Sequence, residues 1–145
     1  MVKKNRVFLD SSVLIAALLS SQGGSFYILH NLSDRFHFQI NQYVFQEVLR
    51  VLDSKFGQLK NLKSDFFLLL AVAKIEIIHD PFRGDLKLVE NIINKEDAPI
   101  LISALKISDY LLTLDKDFLT QVVASFSKIR NVIVCNSKEF LKIIE

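Results

Sequence analysis

A single cysteine, Cys135, rules out an intramolecular disulfide, and no second cysteine stands at a metal-binding spacing from it. Long apolar runs are also missing. The longest, residues 66–73, is bounded by Asp65 and Lys74, far short of the roughly 20 residues of a membrane-spanning helix, so it reads as a buried core segment. The start, Met1-Val2-Lys3-Lys4-Asn5-Arg6, leads into a strand-length apolar run too short for a signal-peptide core. There is no Gly-rich phosphate loop, no Cys–His pair and no G-x-S-x-G elbow, and His30, His37 and His79 are scattered. Charge of either sign is in small excess only: 18 basic against 16 acidic residues give +2, which permits an anionic partner without predicting one. The expectation is a cytoplasmic protein with no membrane association.

What is present is a folding chain. Half of its residues are hydrophobic and 23% are charged, a balance that argues against disorder, and the length suits one domain over residues 1–145. Val7-Phe8-Leu9 reads as a short buried strand ending in Asp10, followed at once by a serine-capped, very apolar helix through residue 19. Gly23-Gly24 breaks that helix, and Ser25 is placed to cap a second one. Residues 36–40 alternate with period two, placing His37 and Gln39 on one strand face. The spacing then predicts helices over 41–56 and 65–74, a strand over 75–78, a loop at 79–85 and a helix over 86–94. Asp97-Ala98-Pro99 opens another helix, because proline suits the first turn and aspartate is a preferred cap. A strand over 110–114, a helix over 118–126, a strand over 131–135 and a final helix capped by Asn136 or Ser137 complete the chain. Strands alternating with helices throughout predict an α/β domain, a three-layer α/β/α sandwich on a central parallel sheet of about five strands.

Four carboxylates attract attention in that frame. Asp10 and Asp115 each follow an apolar strand, and sites in open α/β sheets form at the carboxyl edge where strand order reverses. Asp97 opens a helix; it either joins them or simply caps that helix. Glu47 falls at the rim of the apolar stripe of Val44, Val48, Val51 and Leu52, where it is either a site residue or an ordinary surface glutamate. Carboxylates that converge raise one another's pKa. A divalent cation relieves this, and Mg2+ or Mn2+ suits an all-oxygen site and hydrolytic chemistry on a phosphodiester.

The motifs Val7-Phe8-Leu9-Asp10-Ser11-Ser12-Val13-Leu14, Gln46-Glu47-Val48-Leu49, Glu96-Asp97-Ala98-Pro99-Ile100-Leu101 and Thr113-Leu114-Asp115-Lys116-Asp117 stand in this order along the chain. Together they resemble the PIN domains, small metal-dependent ribonuclease folds that include the toxins of VapC-type toxin–antitoxin pairs. The resemblance implies Asp10, Glu47, Asp97 and Asp115 as catalytic residues and ligands of Mg2+ or Mn2+. It implies supporting roles for Ser11, Ser12 and Thr113, and an accessory role for Asp117, which reads equally as an N-terminal helix residue. Ser12 departs from the asparagine common in the family, and Leu114 from a frequent glycine. The implied function is a divalent-metal-dependent endoribonuclease acting on RNA, with a small antitoxin protein and a homodimer as implied partners. Lys55, Lys60, Lys63 and Lys116 could attract phosphate, or simply solvate helix faces. A non-catalytic PIN-like module that binds RNA or protein is the alternative. A phosphohydrolase of the haloacid-dehalogenase type fits less well, since Ser12 stands where those enzymes place an acid or threonine.

Overall fold

In the computed structural model, residues 3–59 and 61–145 are described; Met1, Val2 and Lys60 lie outside them. Five strands, β1 (Asn5–Leu9), β2 (Phe36–Asn41), β3 (Glu76–Ile78), β4 (Tyr110–Leu112) and β5 (Ile133–Cys135), form one parallel sheet in the order β3-β2-β1-β4-β5. The helices are α1 (Ser11–Leu19), α2 (Gly24–Asn31), α3 (Gln42–Phe56), α4 (Leu62–Val72), α5 (Ala98–Ile107), α6 (Gln121–Ile129) and α7 (Ser137–Ile143). Right-handed crossovers from β1 to β2 to β3 carry α1 through α4 over one face of the sheet. The return to β4 and on to β5 carries α5 and α6 over the other. Accordingly α2 packs on α1, α4 and α7, while α5 packs on β1 and β4. Coverage on both faces explains why Val7, Phe8 and Leu9 are all fully buried and why β1 shows no alternation.

This is the three-layer parallel architecture expected, with several local differences. Neither serine caps α1: Asp10 holds the cap position, extended at φ −75° and ψ 155°, and makes no side-chain cap bond. Ser25 does not cap α2 either; Gly23 does, and the buried Ser25 hydroxyl pairs with that of Ser137 at 2.8 Å. Residues 86–94 form no α-helix. A 3-10 helix, Arg83–Val89, takes their place and leads into turns. The strand expected over 110–114 ends at Leu112, so Asp115 lies three residues beyond it rather than directly after. The helix expected from residue 118 begins at Gln121, capped by the Thr120 hydroxyl on Val123 N–H at 3.3 Å.

The apolar run at 66–73 is only half core. Phe66 and Leu69 are buried in α4, while Phe67, Leu68 and Val72 are 52%, 63% and 42% exposed. His37 and Gln39 do share a face, and both bond the Glu76 carboxylate on the neighbouring strand β3, at 2.9 and 2.7 Å. Among the described residues no single helix is long and apolar enough to cross a membrane.

Candidate metal centre

β1 and β4 are neighbours, yet the chain leaves β1 in one direction across the sheet and β4 in the other. Their carboxyl ends therefore flank the point where strand order reverses, the crevice in which such sheets bind ligands. Asp10 closes β1 there. Its N–H bonds Leu112 O at 3.0 Å, extending the ladder by one residue and fixing the carboxylate against the β4 exit.

Two hydroxyls hold that carboxylate. Ser12 donates to Asp10 Oδ2 at 2.6 Å and Thr113 donates to the same oxygen at 2.8 Å. Each hydroxyl also accepts from the chain beyond β4. Leu114 N–H reaches Ser12 Oγ at 2.9 Å, and Asp115 N–H reaches Thr113 Oγ1 at 3.0 Å. Asp115 in turn accepts Asp117 N–H on Oδ1 at 2.9 Å. A continuous chain of bonds thus runs from Asp10 through Thr113 to Asp115 and Asp117. Serine at position 12 performs both jobs required of it, because a hydroxyl donates and accepts at once.

The other half of the site comes from α3 and α5. Asn41, fully buried at the end of β2, caps α3 by accepting Val44 N–H at 2.9 Å. Its amide donates to Pro99 O at 3.2 Å and to Ser103 Oγ at 2.8 Å, both on α5. The Tyr43 hydroxyl donates to Glu96 O at 2.6 Å. These bonds lock the first turns of α3 and α5 together. Glu47, half-buried as expected from its place at the stripe's rim, accepts the Ser11 hydroxyl at 2.5 Å. Asp97 occupies the cap position of α5 but makes no cap bond; its side chain turns instead to Asn94, whose amide meets Oδ2 at 2.7 Å. The capping explanation of Asp97 is thereby removed.

One carboxylate oxygen from each of Asp97, Asp115 and Asp117 lies within 4.8 Å of the others. Oxygens on opposite sides of an octahedral Mg2+ shell are about 4.2 Å apart, so carboxylates gathered this closely are within reach of one ion. Asp117 belongs to that tight group and sits in the turn after β4, four residues before α6, so it is not a helix N-terminal residue. Asp10 and Glu47 are outside the tight group but near enough to act on it. Burial pushes the Asp97 carboxyl up to about 6; the Asn94 bond opposes this, and the charges of Asp115, Asp10 and Glu47 add to it. Asp10, 3% exposed, is also raised, chiefly by burial, against the Ser12 and Thr113 bonds that favour its ionised form. Among the described residues none of these five acids has a basic ion-pair partner. A hard divalent cation fits this donor set of oxygens and excess negative charge.

The sequence singled out Asp10, Glu47, Asp97 and Asp115, and all four meet within electrostatic reach. Asn94, Asn41 and Tyr43 were missed. Asn94 had a signal, since an asparagine side chain readily accepts the backbone N–H three residues on, here that of Asp97. Asn41 and Tyr43 act across the fold and had none.

A model of the PIN domain matches residues 7–122. Among solved structures, the crystal structure of VapBC2 from Rickettsia felis bound to a DNA fragment from their promoter is similar to this chain. The TM-score is 0.64 at 21% sequence identity, covering 90% of this chain and 98% of that one, a likeness of fold. Curated proteins give no match.

Proposed function

The chain belongs to the PIN domain family, and from that premise we propose that it is a divalent-metal-dependent endoribonuclease cleaving RNA phosphodiester bonds. The observation that carries this reading is the meeting of Asp97, Asp115 and Asp117 within 4.8 Å, beside Asp10 and Glu47, with no basic partner for any of them among the described residues.

Asp97, Asp115 and Asp117 would hold the Mg2+ or Mn2+, with Asp10 and Glu47 beside them. When bound, such an ion lowers the pKa of water and opposes charge on the phosphate oxygens. Asp10 is held rigid by its two hydroxyl bonds, which favour its ionised form against the burial that raises its pKa. Glu47 has Oε1 engaged by Ser11, which fixes the carboxylate and leaves its second oxygen for the role of general base toward an attacking water. Lys116 and Lys55 are exposed and available to phosphate, whereas Lys63 is engaged by Asp53 at 2.8 Å.

The toxin reading goes one step further. The VapBC likeness and the exposed apolar face of α4 support a small antitoxin and a second copy of the chain as partners. Cleavage of single-stranded RNA tests the activity. The native protein is expected to cut with Mg2+ or Mn2+ and to stop with EDTA or in Asp97→Asn. Cleavage that continues unchanged in Asp97→Asn removes the proposed site.

A further inference from the structure

Asn94 bridges two of the three clustered acids, although it carries no charge. Its amide nitrogen lies 2.7 Å from Asp97 Oδ2 and 3.2 Å from Asp117 Oδ2, while its oxygen accepts Asp97 N–H at 2.9 Å. An amide has two N–H donors and one acceptor oxygen, so one side chain serves all three contacts. The orientation is chemically determined. Turned the other way, its oxygen would face two carboxylates and its N–H₂ would face the Asp97 N–H. Asp97 comes from the entry to α5 and Asp117 from the turn after β4, twenty residues apart in sequence. Asn94 is the direct side-chain link between them among the described residues.

We infer that Asn94 is a positioning residue which holds Asp97 and Asp117 side by side for the divalent cation, donating one N–H to each while the cation is absent. The inference rests on the metal-site reading above. Two like charges at this distance repel, and Asn94 offsets that by giving each carboxylate a hydrogen bond on Oδ2. The remaining oxygens of the pair then stay directed by a fixed partner instead of being free to swing apart. Residues that orient metal ligands in this way typically weaken metal binding ~10- to 100-fold when removed. Asn94 also caps the turn of residues 94–97 by accepting Asp97 N–H on its side-chain oxygen, which is a purely structural service, and the two roles separate by mutation. Aspartate at this position keeps the acceptor for Asp97 N–H but presents no donor to the carboxylates.

The test is Mn2+ titration of the native protein, Asn94→Ala, Asp117→Asn and the Asn94→Ala/Asp117→Asn pair, followed by calorimetry and by Mn2+ electron paramagnetic resonance. Asn94→Ala is expected to bind Mn2+ ~10-fold or more weakly, and the double variant to be little weaker than Asp117→Asn alone, because both changes break one clamp. Unfolding of metal-free Asn94→Asp gives the second readout. It is expected to melt below the native protein and to recover a larger share of its stability on adding Mn2+. Native-like Mn2+ affinity in Asn94→Ala, or fully additive losses in the double variant, overturns the clamp. Metal-free Asn94→Asp that melts with the native protein reduces Asn94 to its turn and overturns the clamp as well. A native protein that takes up no Mn2+ contradicts the metal site itself and the clamp with it, so the two failures are distinct.

Discussion

The hydroxyl of Thr113 stands 2.8 Å from Asp10 Oδ2 while its oxygen accepts Asp115 N–H at 3.0 Å, so one fully buried threonine joins Asp10, at the end of β1, to Asp115, three residues beyond β4. Thr113→Val keeps the shape and removes both bonds. It leaves Asp10 in its buried position with one donor fewer and the Asp115 amide without its acceptor. The expected loss is ~1–3 kcal/mol of stability in urea unfolding, together with reduced RNA cleavage. Native stability in Thr113→Val would show that this bridge does not hold the site.

Position 12 tests whether serine serves in place of the family's usual asparagine. Ser12→Ala removes the donor to Asp10 and the acceptor for Leu114 N–H. It is expected to lower cleavage by ~10-fold or more, the scale of lost outer-shell contacts in metal sites. Ser12→Asn supplies an amide that also donates and accepts, and is expected to stay closer to native than Ser12→Ala. Equal activity in all three proteins would detach Ser12 from the site.

The Asp97 carboxyl gives the metal-free protein a distinctive pH dependence. Its folded pKa is raised from 3.8 to about 6, mainly by burial. Between those values the folded state binds this proton more readily than the unfolded chain does, so stability falls as pH rises through the window. The EDTA-treated protein is therefore expected to be more resistant to urea near pH 5 than near pH 7.5, with the difference reduced in Asp97→Asn. Mn2+ binding should weaken as pH falls through about 6, since metal and proton compete for the same carboxylate. An unchanged pH dependence in Asp97→Asn would remove Asp97 as its origin.

Cys135 is 2% exposed, and burial pushes its thiol up to about 12. A thiol-reactive dye at pH 8 is expected to leave the folded protein unmodified and to react stoichiometrically after denaturation. Rapid reaction of the folded protein would contradict the packing of β5.

The apolar side of α4 predicts self-association. Phe67, Leu68 and Val72 lie exposed on one helix. Light scattering of the native protein is expected to give a dimer, and Leu68→Glu a monomer that still folds. A monomeric native protein sinks the dimer.

Much of this site is legible in the sequence because its placement follows from local pattern. Asp10 had to stand at a sheet edge, since Val7-Phe8-Leu9 could only be a covered strand, and the alternation of strands and helices brought β1 and β4 to the switch point. Local pattern narrows the cap of α7 to Asn136 or Ser137, and the structure assigns it to Asn136 with Glu139 returning the bond. What pattern could not resolve was any competition between neighbours. Asp97 sits where a capping aspartate belongs, yet Asn94 takes its side chain away. Leu86, Val89 and Ile93 have helical spacing, but the segment tightens into a 3-10 helix and turns that deliver Asn94 to the acids. Asp117 reads equally as an accessory acid and as an N-terminal residue of the helix expected from 118, a start that Thr120 delays by capping it later. For Asp97 and for the start of α6, a side-chain bond outweighed local pattern.

Titrating the EDTA-stripped protein with Mn2+ tests most directly whether these acids form one divalent-cation site. The account predicts saturable binding in the native protein, strongly weakened in Asp115→Asn, whose carboxylate is common to the bond chain and to the tight group. Absence of binding in the native protein, or equal binding in Asp115→Asn, would contradict it.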